Sequence, residues 1–227
     1  MSARTKEGGA TTAPVLRKLA VAWTDFEARL DSTPLVRRLN RGLLTIDDYR
    51  ALLMNLRQQV VDGACWISRA ASNVDEAHFE LRSTLMRHAA TEHRDYRLIE
   101  ADYVAAGGRL EDIRSGAKNV GSEALSAWMF AEASKPNPFG LLGAMFIIEG
   151  LGSIKAAGWG RAIARQLSLS DEAVRFLVYH GANDGDHMTE FEAMLAMVLP
   201  DPAVEARIVR CAEVTGRLYA MQIEDVR

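Results

Sequence analysis

The sequence has little cysteine. Only Cys65 and Cys211 occur in 227 residues, far apart and without CxxC spacing. This argues against a disulfide framework or a structural zinc site and favours a reducing, cytoplasmic location. The opening stretch MSARTKEGGATTAP also lacks the apolar run of a secretory signal, so we expect residues 1–14 to be a disordered segment of small and polar residues.

An excess of positive charge is also missing. The chain carries 27 Lys and Arg against 30 Asp and Glu, a formal net charge of −3. Neither nucleic acid nor an anionic membrane is therefore an expected partner. The longest nearly uncharged run, PFGLLGAMFIIEGLGSI, is rich in glycine and interrupted by Glu149. It predicts a buried helix rather than a membrane span.

Strand-like alternation is absent as well, and nearly every long segment has helical periodicity. The pattern predicts an all-α, single-domain bundle of about seven helices covering residues 15–227. The predicted helices run over about 15–30, 45–71, 77–106, 122–133, 137–167, 170–198 and 201 to the C-terminus.

Two histidines and an acid share one side of the sixth predicted helix. His180, Asp184 and His187 stand at i, i+4 and i+7 in VYHGANDGDHMTEF, within roughly 60° of arc on a helix. A polar surface stripe is one interpretation, and a core histidine with satisfied hydrogen bonds is another. The apolar residues around the three favour half of a metal site.

The same spacing recurs in LMRHAATEHRDYRLIEADY. His88, Glu92 and Asp95 again stand at i, i+4 and i+7, beside apolar positions that face inward. Charged neighbours make a solvated face the alternative. If the set faces inward, it supplies further metal ligands.

Glu149 is the least surface-like acid in the chain, since it follows Met-Phe-Ile-Ile and precedes Gly-Leu-Gly. A buried carboxylate needs a cation, a metal ion or strong hydrogen-bond donors. An ion pair with Lys155 or Arg161 on the same predicted helix is the alternative to metal binding.

Together these stretches offer a mixed oxygen and imidazole ligand set, which suits iron or manganese better than metals that prefer thiolates. Carboxylate-bridged metal pairs inside helical bundles use such ligands. The candidate metal ligands are His88, Glu92, Asp95, Glu149, His180, Asp184 and His187.

The order of these elements resembles the haem-oxygenase-like helical superfamily, which includes thiaminase-type (TenA) and pyrroloquinoline-quinone-synthase-type (PqqC) proteins. PLVRRLNRGLLTIDDYRALL resembles its early helix, turn and second helix. Glu149, followed about thirty residues later by His180-x3-Asp184-x2-His187, is similar to the haem-oxygenase-like diiron oxidases and oxygenases. The resemblance covers about residues 15–225.

In that family an earlier helix completes the ligand set, and the positions that match here are His88, Glu92 and Asp95. Asp95 stands in the family's His position, and His88 stands where some members place Glu. A haem-degrading enzyme fits less well, because such enzymes bind iron through an early His and this chain has none before His78.

The resemblance implies an O2-activating non-haem iron oxidase or oxygenase with one or two Fe(II) ions, or manganese. Its expected partners are a small-molecule substrate and O2, with no nucleic acid and no membrane, and a homodimer is compatible with the family. Two alternatives stay open within the fold: a metal-independent enzyme of the TenA or PqqC type, and a protein that only binds a small molecule.

Overall fold

The structure is a computed structural model that describes the backbone of residues 4–226 and the side chains of residues 12–181 and 189–226. Over that range the chain forms α-helices and no strand. The ten helices are α1 (Arg4–Ser32), α2 (Pro34–Asn40), α3 (Ile46–Ser72), α4 (Phe79–Glu92), α5 (Tyr96–Ala105), α6 (Leu110–Ser115), α7 (Val120–Ala133), α8 (Leu141–Leu167), α9 (Arg175–Val198) and α10 (Pro202–Glu224).

The all-α prediction is confirmed, but the expected number of about seven helices is wrong. Two short helices, α2 and α6, lie in stretches that we expected to be irregular. The single helix expected over about 77–106 is divided into α4 and α5. The first helix also begins at Arg4 rather than near residue 15, while disorder of residues 1–14 stays a prediction.

The division between α4 and α5 occurs at residues 93–95. The amide of Asp95 donates to the carbonyl of Glu92 at 3.1 Å, and the amide of Leu98 donates to the carbonyl of Asp95 at 3.0 Å. These i to i+3 hydrogen bonds tighten the chain relative to an α-helix. No glycine or proline marks the change, which is why periodicity alone predicted a continuous helix.

Packing joins the helices around one hydrophobic core. The last helix, α10, packs against α1, α7 and α8, while α3 packs against α4, α5 and α7. α9 lies along α8 and also contacts α5. Large side chains from several helices are fully buried there, among them Phe26, Tyr49 and Phe191.

α8 is interrupted by a π-helical turn at Gly152–Ala156, just after Glu149. Such turns often occur at functional sites because they re-aim the neighbouring side chains. By length and composition alone α8 could cross a membrane, but 56% of its most apolar stretch of 18 residues is buried inside this chain. That burial agrees with the predicted core helix.

The N-terminus of α9 is fixed by a carboxylate from α5. Val174 precedes α9 and provides no side-chain cap. Instead, Asp102, which is fully buried, accepts a hydrogen bond from the Phe176 amide at 2.8 Å. Further along α9, a Cβ on Gly181 would lie 2.6 Å from the Ala157 amide nitrogen. Close packing and the Asp102 cap therefore set the position of α9 against α8.

Replacing Gly143 with alanine tests the close approach of α8 and α10. A Cβ at Gly143 would lie 1.9 Å from the Ile208 carbonyl oxygen, and backbone cannot move aside as a flexible side chain can. We expect Gly143→Ala to lower the free energy of unfolding by about 2–4 kcal/mol, measured by urea denaturation.

Gly158→Ala on the same helix is the matched control, because nothing lies within 4 Å of the added Cβ. We expect it to raise the free energy of unfolding by about 0.5–1 kcal/mol. Equal effects of the two substitutions would contradict the packing described for α8.

Asp102→Asn tests the cap on α9. Burial raises the pKa of Asp102 from 3.8 to about 6, although the Phe176 amide and Arg175 lower it. Because the folded pKa is the higher one, protonation stabilises the fold fully below about pH 4, and this stability is lost as the pH rises through about 6. Asparagine keeps an acceptor oxygen but cannot ionise.

We therefore expect the free energy of unfolding of Asp102→Asn, relative to wild type, to increase by about 1–3 kcal/mol between about pH 4 and about pH 7. Urea denaturation at the two pH values measures this difference. A difference that stays constant with pH would contradict a buried, ionisable cap.

Candidate metal centre

His88 joins three helices. It is buried on α4, and its Nε2 lies 3.3 Å from Oε1 of Glu149 on α8. Its Nδ1 lies 3.7 Å from Oε2 of Glu190 on α9. An imidazole between two carboxylates is held in one orientation, as metal-binding histidines commonly are.

His180 forms a second imidazole–carboxylate pair. Its Nε2 lies 3.4 Å from Oδ2 of Asp95, which occupies the turn between α4 and α5. The His180 ring also contacts Phe176, with ring centroids 4.5 Å apart. Since Asp102 accepts a hydrogen bond from the Phe176 amide, the cap on α9 supports the position of His180 one turn later.

Glu92 lies among both pairs. Burial, together with the negative charges of Glu149 and Asp95, raises its pKa to about 7, although His88 and His180 act in the opposite direction. Glu92 also lines the same cavity as Glu149 and His180. It therefore belongs to the same acidic cluster as the two pairs.

Five of the seven predicted ligands thus come together, from α4, the following turn, α8 and α9: His88, Glu92, Asp95, Glu149 and His180. The side chains of the other two, Asp184 and His187, lie outside the described residues. Their role stays a prediction.

The alternatives to metal binding predict particular surroundings for His88 and Glu149, which the structure shows. A solvated face for His88 is wrong, since the side chain is only 2% exposed. The alternative ion pair between Glu149 and Lys155 is not observed, because Lys155 Nζ lies 2.6 Å from Glu27 Oε1 instead. Arg161, the other alternative partner, is exposed. Glu149 contacts His88 instead.

Glu190 was not among the candidate ligands predicted from the sequence. Its carboxylate lies beside His88. The signal was the spacing, because Glu190 follows His187 by three residues, and residues three apart are neighbours on a helix surface.

A cavity of about 100 Å³ reaches this cluster. Glu92, Glu149 and His180 contribute to its wall, and the rest is mostly hydrocarbon and aromatic. The other lining residues are Leu52, Leu56, Gln59, Val60, Ile148, Leu151, Gly152, Ala156, Trp159, Phe176, Leu177, Tyr219 and Ile223. A second cavity of about 60 Å³ also borders Glu92 and Glu149. The acids therefore stand beside small spaces that an apolar molecule could occupy.

The chemistry of the donors fits iron or manganese. Imidazole nitrogens and carboxylate oxygens are the ligands these ions accept, and crowded acids need a cation. Among the described side chains, however, no group of three or more donors is close enough to enclose an ion. The two imidazole–carboxylate pairs therefore do not by themselves form a complete ligand sphere.

Solved structures share this fold. A domain of unknown function with a haem oxygenase-like fold from Shewanella denitrificans superposes with a TM-score of 0.84 and 21% identity, covering 94% of this chain and 90% of that one. A TenA homologue from Pseudomonas syringae superposes with a TM-score of 0.75 and 16% identity, covering 92% of this chain and 91% of that one. A TenA homologue from Pyrococcus horikoshii superposes with a TM-score of 0.72 and 14% identity, covering 92% of this chain and 96% of that one.

A search of curated protein sequences gave no match. The structural likenesses, all at low identity, establish the haem-oxygenase-like fold that includes the TenA proteins. A family model described as "iron-containing redox enzyme" matches residues 71–220, a span that includes all seven predicted ligands. The chain therefore belongs to this family of iron-containing redox enzymes.

Proposed function

We propose that this protein is a non-haem iron oxidase or oxygenase that uses O2 to oxidise a small organic substrate. The observation that carries the proposal is that one member of each imidazole–carboxylate pair, Glu149 and His180, lines an apolar cavity together with Glu92. Neither the family description nor the fold specifies a reaction, so the site must carry the argument.

The ligands that would hold the metal are the described cluster together with Asp184 and His187, in a mononuclear or dinuclear centre. Iron(II) bound there would supply the electrons and open coordination positions that O2 chemistry needs. Manganese is the alternative metal for the same donors.

The chain's own residues would contribute orientation, proton control and a dry site. Glu190 and Glu149 flank the two nitrogens of His88 and fix the plane of its ring. Glu92, with a pKa of about 7, can hold or release a proton near neutral pH. The apolar walls formed by residues such as Ile148 and Leu177 limit the access of water to bound substrate.

A second candidate is a metal-independent enzyme of the TenA or PqqC type. The observation that favours it is the pKa of Glu92, since a carboxyl that titrates near neutral pH can serve as a general acid or base without a metal. Metal analysis after gentle purification distinguishes the two, because this candidate requires neither bound iron nor a response to added Fe(II).

A non-catalytic binding protein would show ligand binding but no turnover under O2. The cytoplasmic location and the homodimer also stay predictions.

Replacing His180 tests the iron proposal. We expect wild-type protein reconstituted anaerobically with Fe(II) to retain iron after desalting and to consume O2. His180→Ala and His187→Ala should each lower the affinity for Fe(II) by at least about 10- to 100-fold, the loss typical when a residue that only orients a ligand is replaced, because each removes a nitrogen ligand itself. Equilibrium dialysis with metal analysis measures the affinity, and an oxygen electrode follows consumption.

His93→Ala is the matched control, because His93 is exposed and its ring contacts the backbone carbonyl of Ala90. It should retain wild-type iron affinity. If His180→Ala and His187→Ala bind Fe(II) as tightly as His93→Ala, the proposed metal centre is wrong.

A further inference from the structure

The wall of the larger cavity has a second polar feature besides the acidic cluster. Gln59 and Tyr219 line the same space, on α3 and α10. No Lys or Arg contributes to this wall in the part of the chain that the structure describes. The cavity thus combines an acidic end, a neutral hydrogen-bonding group and hydrocarbon.

A chain of hydrogen bonds fixes the amide of Gln59. Gln222 is fully buried, and its Oε1 accepts from the Ser122 hydroxyl at 3.2 Å. The Ser122 oxygen in turn accepts from Nδ2 of Asn55 at 3.0 Å. Gln222 therefore directs its Nε2 to the oxygen of Gln59, with which it forms a short hydrogen bond. The oxygen of Gln59 is occupied, so its N–H groups remain to donate elsewhere.

Tyr219 lines the cavity together with Gln59. Burial raises the pKa of Tyr219, and the hydrogen bond with Gln59 lowers it. Tyr219 stays a neutral O–H group, which can act as a hydrogen-bond donor in the cavity wall. The ring is held edge-on against Phe26, with centroids 5.8 Å apart.

We propose that Gln59 and Tyr219 form a ligand subsite that binds an uncharged oxygen acceptor, a carbonyl or a hydroxyl, on a small and otherwise apolar molecule. Both groups are donors fixed by their own partners, which is the arrangement that orients a ligand in an apolar pocket. This cavity of about 100 Å³ and the second one of about 60 Å³ share Gln59, Glu92 and Glu149 in their walls, and together they match a cavity of about 150 Å³, which holds a molecule the size of benzene.

The charges in the wall select against charged head groups at this subsite. A carboxylate on the ligand would face Glu92 and Glu149 with no Lys or Arg in the described wall to compensate it. An ammonium group would pair with those acids instead of with two hydrogen-bond donors. The ligand is the substrate only if the proposed function holds, but its binding to Gln59 and Tyr219 does not require iron.

The experiment uses metal-free full-length protein and three probes of equal chain length: hexanamide, 1-hexanol and hexylamine. Calorimetry gives the affinities, and quenching of tryptophan fluorescence reports occupancy because Trp159 lines the cavity. We expect Tyr219→Phe to lower the affinity for hexanamide and for 1-hexanol by about five- to tenfold, because one hydrogen bond is lost. Binding of hexylamine should change less than about twofold.

Tyr103→Phe is the matched control, since Tyr103 is buried on α5 and does not line the cavity. It should leave all three affinities unchanged. Gln59→Leu provides a second variant, which removes the donors on the other side of the subsite and should give the same pattern as Tyr219→Phe. Melting temperatures of each variant confirm that it is folded.

Two results would overturn the subsite. One is that hexanamide does not bind to the wild-type protein, and the other is that Tyr219→Phe lowers the affinities for hexanamide and hexylamine equally. Failure of Fe(II) binding would overturn the proposed function and leave these affinities untouched, because they are measured without metal. The two proposals can therefore fail separately.

Discussion

The burial of ionisable groups inside a helical bundle is the constraint on which the rest of this structure depends. Glu149 is about 9% exposed on a helix that is otherwise among the most apolar in the chain. A carboxylate in that position is costly unless opposite charge or donors approach it. His88 from α4 does so directly, and Glu92 and Asp95 add further negative charge nearby. Such a cluster destabilises the fold unless a cation or proton compensates it.

Holding that cluster together requires the helices to approach closely, which explains the glycine content of α8 and α9. Gly143 brings α8 against the backbone of α10, and Gly181 brings α9 against Ala157. The Asp102 carboxylate then fixes the first turn of α9. Neighbouring backbones and a buried cap, rather than long flexible side chains, thus position His180. Positions set in this way are rigid, as a pre-organised site requires.

Sequence alone predicted the helical class and selected His88, Glu149 and His180, because helical spacing and an acid in an apolar run are local signals. That these residues bind a metal stays a prediction, whereas their closeness was predicted from the sequence. The break at 93–95 was not, since no glycine or proline accompanies it and its hydrogen bonds differ by one residue from those of an α-helix. Gln59 and Tyr219 were also missed, because a glutamine and a tyrosine on different helices have no spacing that connects them.

The two ends of the cavity differ in a way that follows from solvation. The acidic end attracts a cation and raises the pKa of Glu92, so it suits metal ions and protons. The other end offers fixed neutral donors, whose interaction with an uncharged oxygen costs little desolvation compared with that of a charged group. A molecule held by Gln59 and Tyr219 would extend its hydrocarbon toward Glu92 and Glu149 rather than place a competing charge among them. The cavity can therefore accept an organic ligand without displacing whatever cation the acids bind.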